Sequence, residues 1–454
     1  MIRFFLPLVT VLVVSLSSGH TAPDSSSRFL LSGKTTAQGT PEVGMWAAGM
    51  PQSGIEGAGF PILKQARHAL IFKDAVEAGG YNHHSQLFYC LGVFYAAWSN
   101  HPKGEDAAGQ RVLFSQSKDG VNWTKWAEAF PPPSEVRGWG EGFGCYAVAG
   151  SWHAYEDSVY ATARLYNFVG WENADRTSRT AERDEKHIFQ RFEHIGLVAR
   201  KVGSDGTLGP IFALSTRVNR LTNLDFPFVK YGTPTFQPVA DAINQRQPKT
   251  LTIQGPLPEP VDNARLVEPA VYETPDKTRV AIIRDDKFSH RKYVSFSTNQ
   301  GSSWSKALPT NIPDSPSLDI ALRTPGGDIL LIGNHCASGF DNPQDPKTPS
   351  NPYHYDRDTL DVAVSTNGYL FTHTVVLRTG VQAWRVPRKA VRGRGGGPQY
   401  PSALIMGDKL YVMYSFGKED IWCSSVPLSD VLQPSAATAA PAEISSPTPT
   451  AITN

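Results

Sequence analysis

Three times along this chain two strand-like apolar runs lead to a third run that ends in a short capped turn, and that repeat restricts the fold more than any other feature. The first copy, Gly79–Trp126, reads GGYNHHSQLFYCLGVFYAAWSNHPKGEDAAGQRVLFSQSKDGVNWTKW. In it Gln86–Leu91 and Val93–Ser99 are rich in aromatic and β-branched residues and flank the turn Leu91-Gly92, a strand-turn-strand signal. A third strand, Arg111–Ser117, ends at Lys118-Asp119-Gly120. The stretch Ser117–Trp123 comes within one residue of the pattern S-x-D-x-G-x-x-W, the Asp box. In that hairpin the Asp side chain bonds turn amides, the Gly takes a positive φ, and the Trp packs beneath the turn. KYVSFSTNQGSSWS, Lys292–Ser305, repeats the turn with Asn299 in the Asp position and Trp304 in the Trp position, and VAVSTNGYLF, Val362–Phe371, is a degenerate third copy. Strand pairs precede both, at Val267–Arg284 and Leu318–Asn334. Four-stranded units recurring every ~40–60 residues predict an all-β propeller, each unit a blade.

Further units are less regular. Gly144–Phe168 and Ile195–Leu214 each read as a strand pair, the second around GSDGTLG; Tyr400–Pro427 is a last unit with Gly407-Asp408 as its turn. Phe60–Phe72 is placed as the N-terminal strand that closes the ring. The count leaves six or seven blades open. Asp175–His194 is highly charged, has helical potential towards its end, and reads as a solvated insertion on one face.

A length of 454 residues would ordinarily mean two or three domains, but blades pack only on their neighbours and escape that rule. The expected organisation is a signal peptide over residues 1–22, one propeller over 23–431, and a Ser/Thr/Pro/Ala-rich disordered tail over 432–454. A secreted, extracellular monomer is expected. Cys90, Cys145, Cys336 and Cys423 are too few and too scattered for a disulfide scaffold and read as buried thiols or at most one or two bridges. With 43 Lys and Arg against 42 Asp and Glu there is no basic excess to hold a nucleic acid, and no stretch after the leader is long and apolar enough to cross a bilayer. The sequon Asn122-Trp123-Thr124 makes the first capped turn a candidate glycosylation site.

Chemistry belongs where the inner ends of the blades converge. His83, His84 and His101 should share one edge of the first hairpin, because antiparallel strands joined by a tight turn bring the start of one beside the end of the other. The next unit offers Tyr146 and Arg164, the latter on the run Tyr160-Thr162-Arg164-Tyr166 whose other face is apolar. An Arg in so apolar a strand needs an acidic partner or a ligand. Arg385, Arg388, Lys389, Arg392 and Arg394 form a basic loop before the last unit, either solvated or an arm that attracts acidic polysaccharide.

The motifs YNHHSQLFYCLGVFYAAWSNHP, EPAVYETPDKTRVAIIRDD and YPSALIMGDKLYVMYSFGKEDI resemble those of propeller lyases acting on uronic-acid glycosides. The nearest are the fungal L-rhamnose-α-1,4-D-glucuronate lyases, with ulvan lyases and a group of propeller α-L-rhamnosidases as cousins, and the likeness runs from about Thr40 to Val431. It implies seven blades and an anterior cleft holding two His, a Tyr and an Arg. Those roles carry over to one of His83 and His84, to His101, to Tyr146 with Tyr160 as its rival, and to Arg164, while Arg220 and Arg284 are further substrate-binding candidates. In such a β-elimination the uronate carboxylate is neutralised by a cation, a base removes the C5 proton, and the C4 oxygen leaves with a proton. Arg suits the first task by its two-point contact, and neutral His or Tyr the second. A uronate-containing polysaccharide or glycan is thus the implied partner. No cofactor is required, although a structural metal ion is compatible with this chemistry.

Two other classes compete. A retaining sialidase needs a Tyr nucleophile paired with Glu, an arginine triad and an early Arg-Ile-Pro; that tripeptide is absent, and Glu268-Pro269, Arg284 and Tyr414 would be its remnants. A non-catalytic carbohydrate-binding propeller would need only aromatic residues.

Overall fold

The computed structural model describes residues 31–35 and 39–433, apart from 53–54, 74–79, 103, 106–107, 134–143, 174–176, 181–185, 187–188, 221–225, 246–250, 254, 288, 337–356, 384 and 386–395. The expected signal peptide, residues 434–454 and most of the basic loop lie outside the described residues.

Five antiparallel sheets follow one another along the chain. Sheet I holds β4 (Tyr81–Cys90), β5 (Val93–His101), β6 (Arg111–Ser117) and β7 (Ala127–Phe130), after the leading strands β1 (Leu31–Thr35), β2 (Pro41–Val43) and β3 (Arg67–Phe72). Sheet II holds β8 (Gly144–Tyr155), β9 (Ser158–Glu172), β10 (Arg179–Thr180), β11 (Phe189–Val202) and β12 (Phe212–Ala213). Sheet III is β13 (Leu266–Glu273), β14 (Arg279–Asp285), β15 (Arg291–Ser297) and β16 (Leu308–Pro313), with β2 and β1 added at its outer edge. Sheet IV is β17 (Ile320–Arg323), β18 (Ile329–Gly333), β19 (Thr359–Ser365) and β20 (His373–Thr379). Sheet V is β21 (Pro398–Met406), β22 (Lys409–Phe416) and β23 (Asp420–Pro427), completed by β3, which pairs antiparallel with β23. The N-terminal strand therefore closes the ring, as Phe60–Phe72 was expected to do.

The described residues thus form five blades, not seven, and the reason lies in sheet II. Gly144–Phe168 and Ile195–Leu214 read as two units, yet β11 pairs with β9 over almost its whole length and makes them one sheet. The end of Asp175–His194 is correspondingly strand β11 and not helix. An α-helix, α1 (Gln237–Gln245), packs on sheet II through Val239, Ala240 and Ile243, and the chain after it packs Leu251 and Ile253 on sheet III; a second, five-residue helix, α2 (Leu428–Leu432), follows β23.

Burial between neighbouring sheets holds the ring. Phe94, Trp98 and Leu113 of sheet I meet Ile71, Met413 and Ile421 of sheet V in one cluster. Each fully buried side chain of this size contributes ~1.5–3 kcal/mol of transfer free energy. All four cysteines are unbridged; Cys145, Cys336 and Cys423 are buried thiols and Cys90 is half-buried.

The capped turns occupy the same place in three blades, between the third and fourth strands. Asp119 Oδ1 accepts from the amides of Val121 (2.9 Å) and Asn122 (2.7 Å), and Gly120 has φ 73°. Asn299 accepts from the Ser303 amide at 2.9 Å, and Asn367 from the Tyr369 and Leu370 amides at 2.8 and 2.9 Å. Trp123 and Trp304 are half-buried beneath their turns.

Candidate active site

The first strand of each sheet is its innermost, and all five line one axial cleft of about 530 Å³. His84 and Gln86 come from β4, Tyr146 and Val148 from β8, Glu268 from β13, Ile320 and Leu322 from β17, and Tyr400 and Ser402 from β21.

Local backbone shape aims the polar members inward. The strand register slips between His83 and Gln86, between Val267 and Ala270, and between Gln399 and Ser402. Inside those slips His84, Glu268 and Tyr400 have φ of 56°, 53° and 56°. An extra residue in a strand re-aims one side chain, and a left-handed conformation at a non-Gly position costs ~1–3 kcal/mol. Three such positions at equivalent places on three inner strands converge on one cavity. Pro269 and Pro401 follow two of them; proline lacks the amide that a bulge would leave unpaired.

The strongest contacts form a compact cluster. Tyr400 Oη donates to Glu268 Oε1 at 2.7 Å. Arg284 Nη1 donates to Glu268 Oε2 at 2.7 Å and to Tyr400 Oη at 3.0 Å, while its Nη2 donates to Asp286 at 2.7 Å. Burial opposes ionisation of Glu268, but the Arg284 guanidinium and the Tyr400 hydroxyl outweigh it and hold the carboxyl below its ordinary value. Burial, with the charge on Glu268, pushes the Tyr400 phenol up, so it stays protonated and donates. Arg357 lies with its guanidinium 5.4 Å from the centre of the Tyr400 ring and donates to Gln399 at 2.6 Å.

Beside this cluster stand the paired histidines. His83 is fully buried, its ring centre 4.1 Å from that of Tyr400, with Nδ1 bonded to Ser415 Oγ at 2.7 Å. His84 opens to the cleft; its Nδ1 meets Ser99 Oγ at 3.2 Å and its Nε2 lies 4.0 Å from Glu105 Oε1. Lys418 Nζ donates to Glu105 Oε2 at 2.7 Å. Burial lowers the His84 pKa to about 4, the Lys418 and Arg164 cations act in the same direction, and Glu105 offsets part of the effect. His84 is therefore a neutral imidazole at ordinary pH. Ligand atoms of His83, His84 and Glu105 lie within 4.8 Å of one another and could hold a metal ion, although the Lys418 ammonium already supplies a positive charge there.

Arg164 is different from the other cations. It is exposed in the cleft wall, its one hydrogen bond is a 3.5 Å contact to the Ala149 carbonyl, and no carboxylate pairs with it among the described residues.

Of the positions expected from sequence, His84, Tyr146 and Arg164 line the cleft, Arg284 backs it and His83 lies beneath it. The other three fall elsewhere. His101 holds its own loop, with Nδ1 accepting from the Gly104 amide at 3.0 Å and Nε2 facing the Ala108 carbonyl at 3.1 Å. Register explains this: unbroken pairing from Cys90–Val93 would already put His101 opposite Asn82, and the bulge at His84 moves it one residue further away, to Tyr81. Tyr160 packs on Phe212 in the apolar cluster around α1, and Arg220 ends a short 3₁₀ turn, neither of them on the cleft wall. In the sequence Tyr400 marks only the start of the last strand unit, and Glu268 a remnant of a sialidase-like site that suits a structural role equally well. No local pattern marks Glu105 or Lys418.

Residues 243–412 match a family model described as a BNR repeat-like domain, and residues 58–152 match one described as an N-terminal beta propeller. No curated protein matches the chain. A solved structure titled sialidase superposes with a TM-score of 0.60 at 16% identity, over 85% of this chain and 35% of its own, so this chain spans about a third of that protein. A Dyadobacter fermentans protein of unknown function (14% identity, 80% and 100% coverage) and Trypanosoma rangeli sialidase in complex with 2,3-difluorosialic acid (13%, 79% and 59%) both give a TM-score of 0.47. The fold is that of a sialidase-like β-propeller.

Proposed function

We propose that the chain is a carbohydrate-active enzyme whose axial cleft takes a carboxylate-bearing sugar, and that it cleaves uronate glycans of the rhamnosyl-(1→4)-glucuronate type by β-elimination. The observation that carries this reading is Arg164, a cation exposed in the cleft with no carboxylate of its own. A guanidinium left unpaired in a concave, partly desolvated site is arranged for an anionic ligand.

Neutral His84 supplies the other requirement. Its Nδ1 is engaged by Ser99, which leaves Nε2, 4.0 Å from Glu105 Oε1, as the proton acceptor for C5. Arg164 opposite the carboxylate lets the electrons of the breaking C5–H bond move into the carboxylate-stabilised carbanion, and these expel O4 with formation of a C4–C5 double bond. The proton that O4 needs comes from the His84 imidazolium so formed or from the Tyr400 hydroxyl. The sequence resemblance makes a rhamnose-capped glucuronate the first substrate to test.

A second reading has one specific observation in its favour, the 2.7 Å contact between Tyr400 and Glu268. A tyrosine paired with a carboxylate is the arrangement a retaining hydrolase would use, with Tyr400 as nucleophile and Glu268 taking its proton. Against it, Arg284 is committed to Glu268 and Asp286, so no cluster of unpaired arginines stands ready among the described residues. Product analysis decides: elimination yields an unsaturated uronate with new ultraviolet absorbance and incorporates no solvent oxygen, whereas hydrolysis yields a saturated sugar without absorbance. Saturated product alone would refute elimination.

A further inference from the structure

Sheet II is built to reach further over the cleft than its neighbours. β9 has 15 residues and β11 has 14, and β8 ends its pairing with β9 where Gly144 meets Phe168. Beyond that point β9 and β11 stay paired through Glu172 and Phe189, with the short β10 on the other side of β9 at Trp171 and Glu172. The overhang is at the mouth of the cleft, because the cleft-lining residues come from the first part of β8.

The cleft wall of sheet II next to this extension is aromatic. Tyr146, Tyr166 and His194 stand opposite one another on three successive strands. The Tyr146 and Tyr166 rings stack at 5.3 Å with 19° between their planes, and Phe192 meets Tyr166 edge-on at 5.4 Å and 89°. Register slips between Arg191 and Phe192 and between His194 and Gly196 bend β11 here. Phe192 lines the cleft and is 48% exposed, an apolar ring left in water on the same cleft wall as Arg164 and Tyr166. Tyr166 follows Arg164 by two residues on β9, so both project from the same face of the strand with their Cα atoms about 7 Å apart. That is a step of about one sugar residue.

We infer that Phe192 and Tyr166, the latter backed by the buried ring of Tyr146, form a second sugar subsite, one monosaccharide away from the residue whose carboxylate Arg164 binds, and that it selects substrates longer than a disaccharide. The apolar C–H face of a pyranose such as a 6-deoxyhexose covers an exposed aromatic ring and removes both surfaces from water. This assignment rests on the reading of Arg164 as the carboxylate-binding residue. It makes Phe192 a specificity determinant that takes no part in proton transfer.

The test uses the full chain, glucuronate-containing oligosaccharides of two, three and four sugars, and a matched neutral series, with affinities from isothermal titration and rates from the unsaturated product. Phe192 is exposed, so Phe192→Ala leaves the fold intact. The expected result is a wild-type affinity that rises with length, lost by about tenfold on the tetrasaccharide in Phe192→Ala and unchanged on the disaccharide. KM should carry the loss and kcat should not, since the contact is made equally in ground and transition states. Phe192→Trp should restore the length preference. Equal affinities for the three lengths in wild type, or a Phe192→Ala that weakens all three alike, overturns the subsite. If the length preference depends on Phe192 in the neutral series too and Arg164→Ala has no effect in either, the subsite stands and the carboxylate reading falls.

Discussion

Replacing Arg164 with Ala tests the reading at its centre. In a partly water-excluded cleft with an effective dielectric near 20, unit charges ~4 Å apart interact by ~4 kcal/mol, and a charge-assisted hydrogen bond measured by mutation gives ~1.5–3 kcal/mol. These are two measures of one contact and not a sum, so ~3–4 kcal/mol of transition-state stabilisation should disappear. At ~1.36 kcal/mol per decade, kcat/KM should fall about a hundred- to a thousandfold. The fold should not notice, because the guanidinium has no carboxylate partner and only a 3.5 Å contact to Ala149. The denaturant midpoint should therefore move by no more than the ~0.5 kcal/mol usual at exposed positions. Arg164→Lys should recover part of the loss, since an ammonium restores charge without the planar two-point contact. Initial rates of unsaturated product from rhamnosyl-glucuronate oligosaccharides provide the assay. A loss below tenfold in Arg164→Ala, with stability unchanged, would show that the carboxylate is held elsewhere.

If His84 is the base, the acid limb of kcat/KM should lie near pH 4 and not near 6.5, activity falling as pH drops through that value, and Lys418→Met should move the limb upward by removing a cation that disfavours the imidazolium. The same depressed pKa makes the unfolded chain bind the proton first, so the contribution of His84 to stability is lost as pH falls from about 6.5 to about 4, visible as a lower urea midpoint. Lys292 is buried against Asp314 at 2.8 Å and Asp319 at 2.9 Å; Lys292→Met should cost ~3–5 kcal/mol in urea unfolding at pH 7 by stranding Asp314, Asp319 keeping its pair with His335, and should cost less at acid pH where Asp314 takes up a proton. Gly120→Ala should destabilise by ~1–3 kcal/mol, since a Cβ there would lie 2.7 Å from the Tyr411 ring at a φ of 73°.

What could be read from the chain was what local chemistry dictates. The Leu91-Gly92 hairpin, the three capped turns and the closing strand within Phe60–Phe72 depend on neighbours in sequence or on simple alternation, and each stands where it was expected. Arg164 was legible for the same reason, being a charge on an otherwise apolar strand. The blade count was not, because it turns on β9 pairing with β11 across a charged segment, and nothing in either strand names its partner. His101 does share the hairpin edge with the paired histidines, but strand register puts it opposite Tyr81, and its ring is held by its own loop and not by the cleft.

That bulge points to why the site was harder to read than the fold. Alternation reveals a strand, whereas a residue aimed into the cleft by a bulge sits where alternation fails, so the pattern that finds the blade conceals the site. His84, Glu268 and Tyr400 all occupy such breaks. Two of the three do leave a mark, since Glu268-Pro269 and Tyr400-Pro401 put proline inside runs that otherwise read as inner strands. The inner strand of a blade is an edge strand, where proline is tolerated, and at these two positions it also falls inside a break in the ladder. Proline by itself therefore marks an edge or a bulge; it is the left-handed backbone of the residue before it that turns Glu268 and Tyr400 out of the sheet's alternation and towards the cavity at the axis.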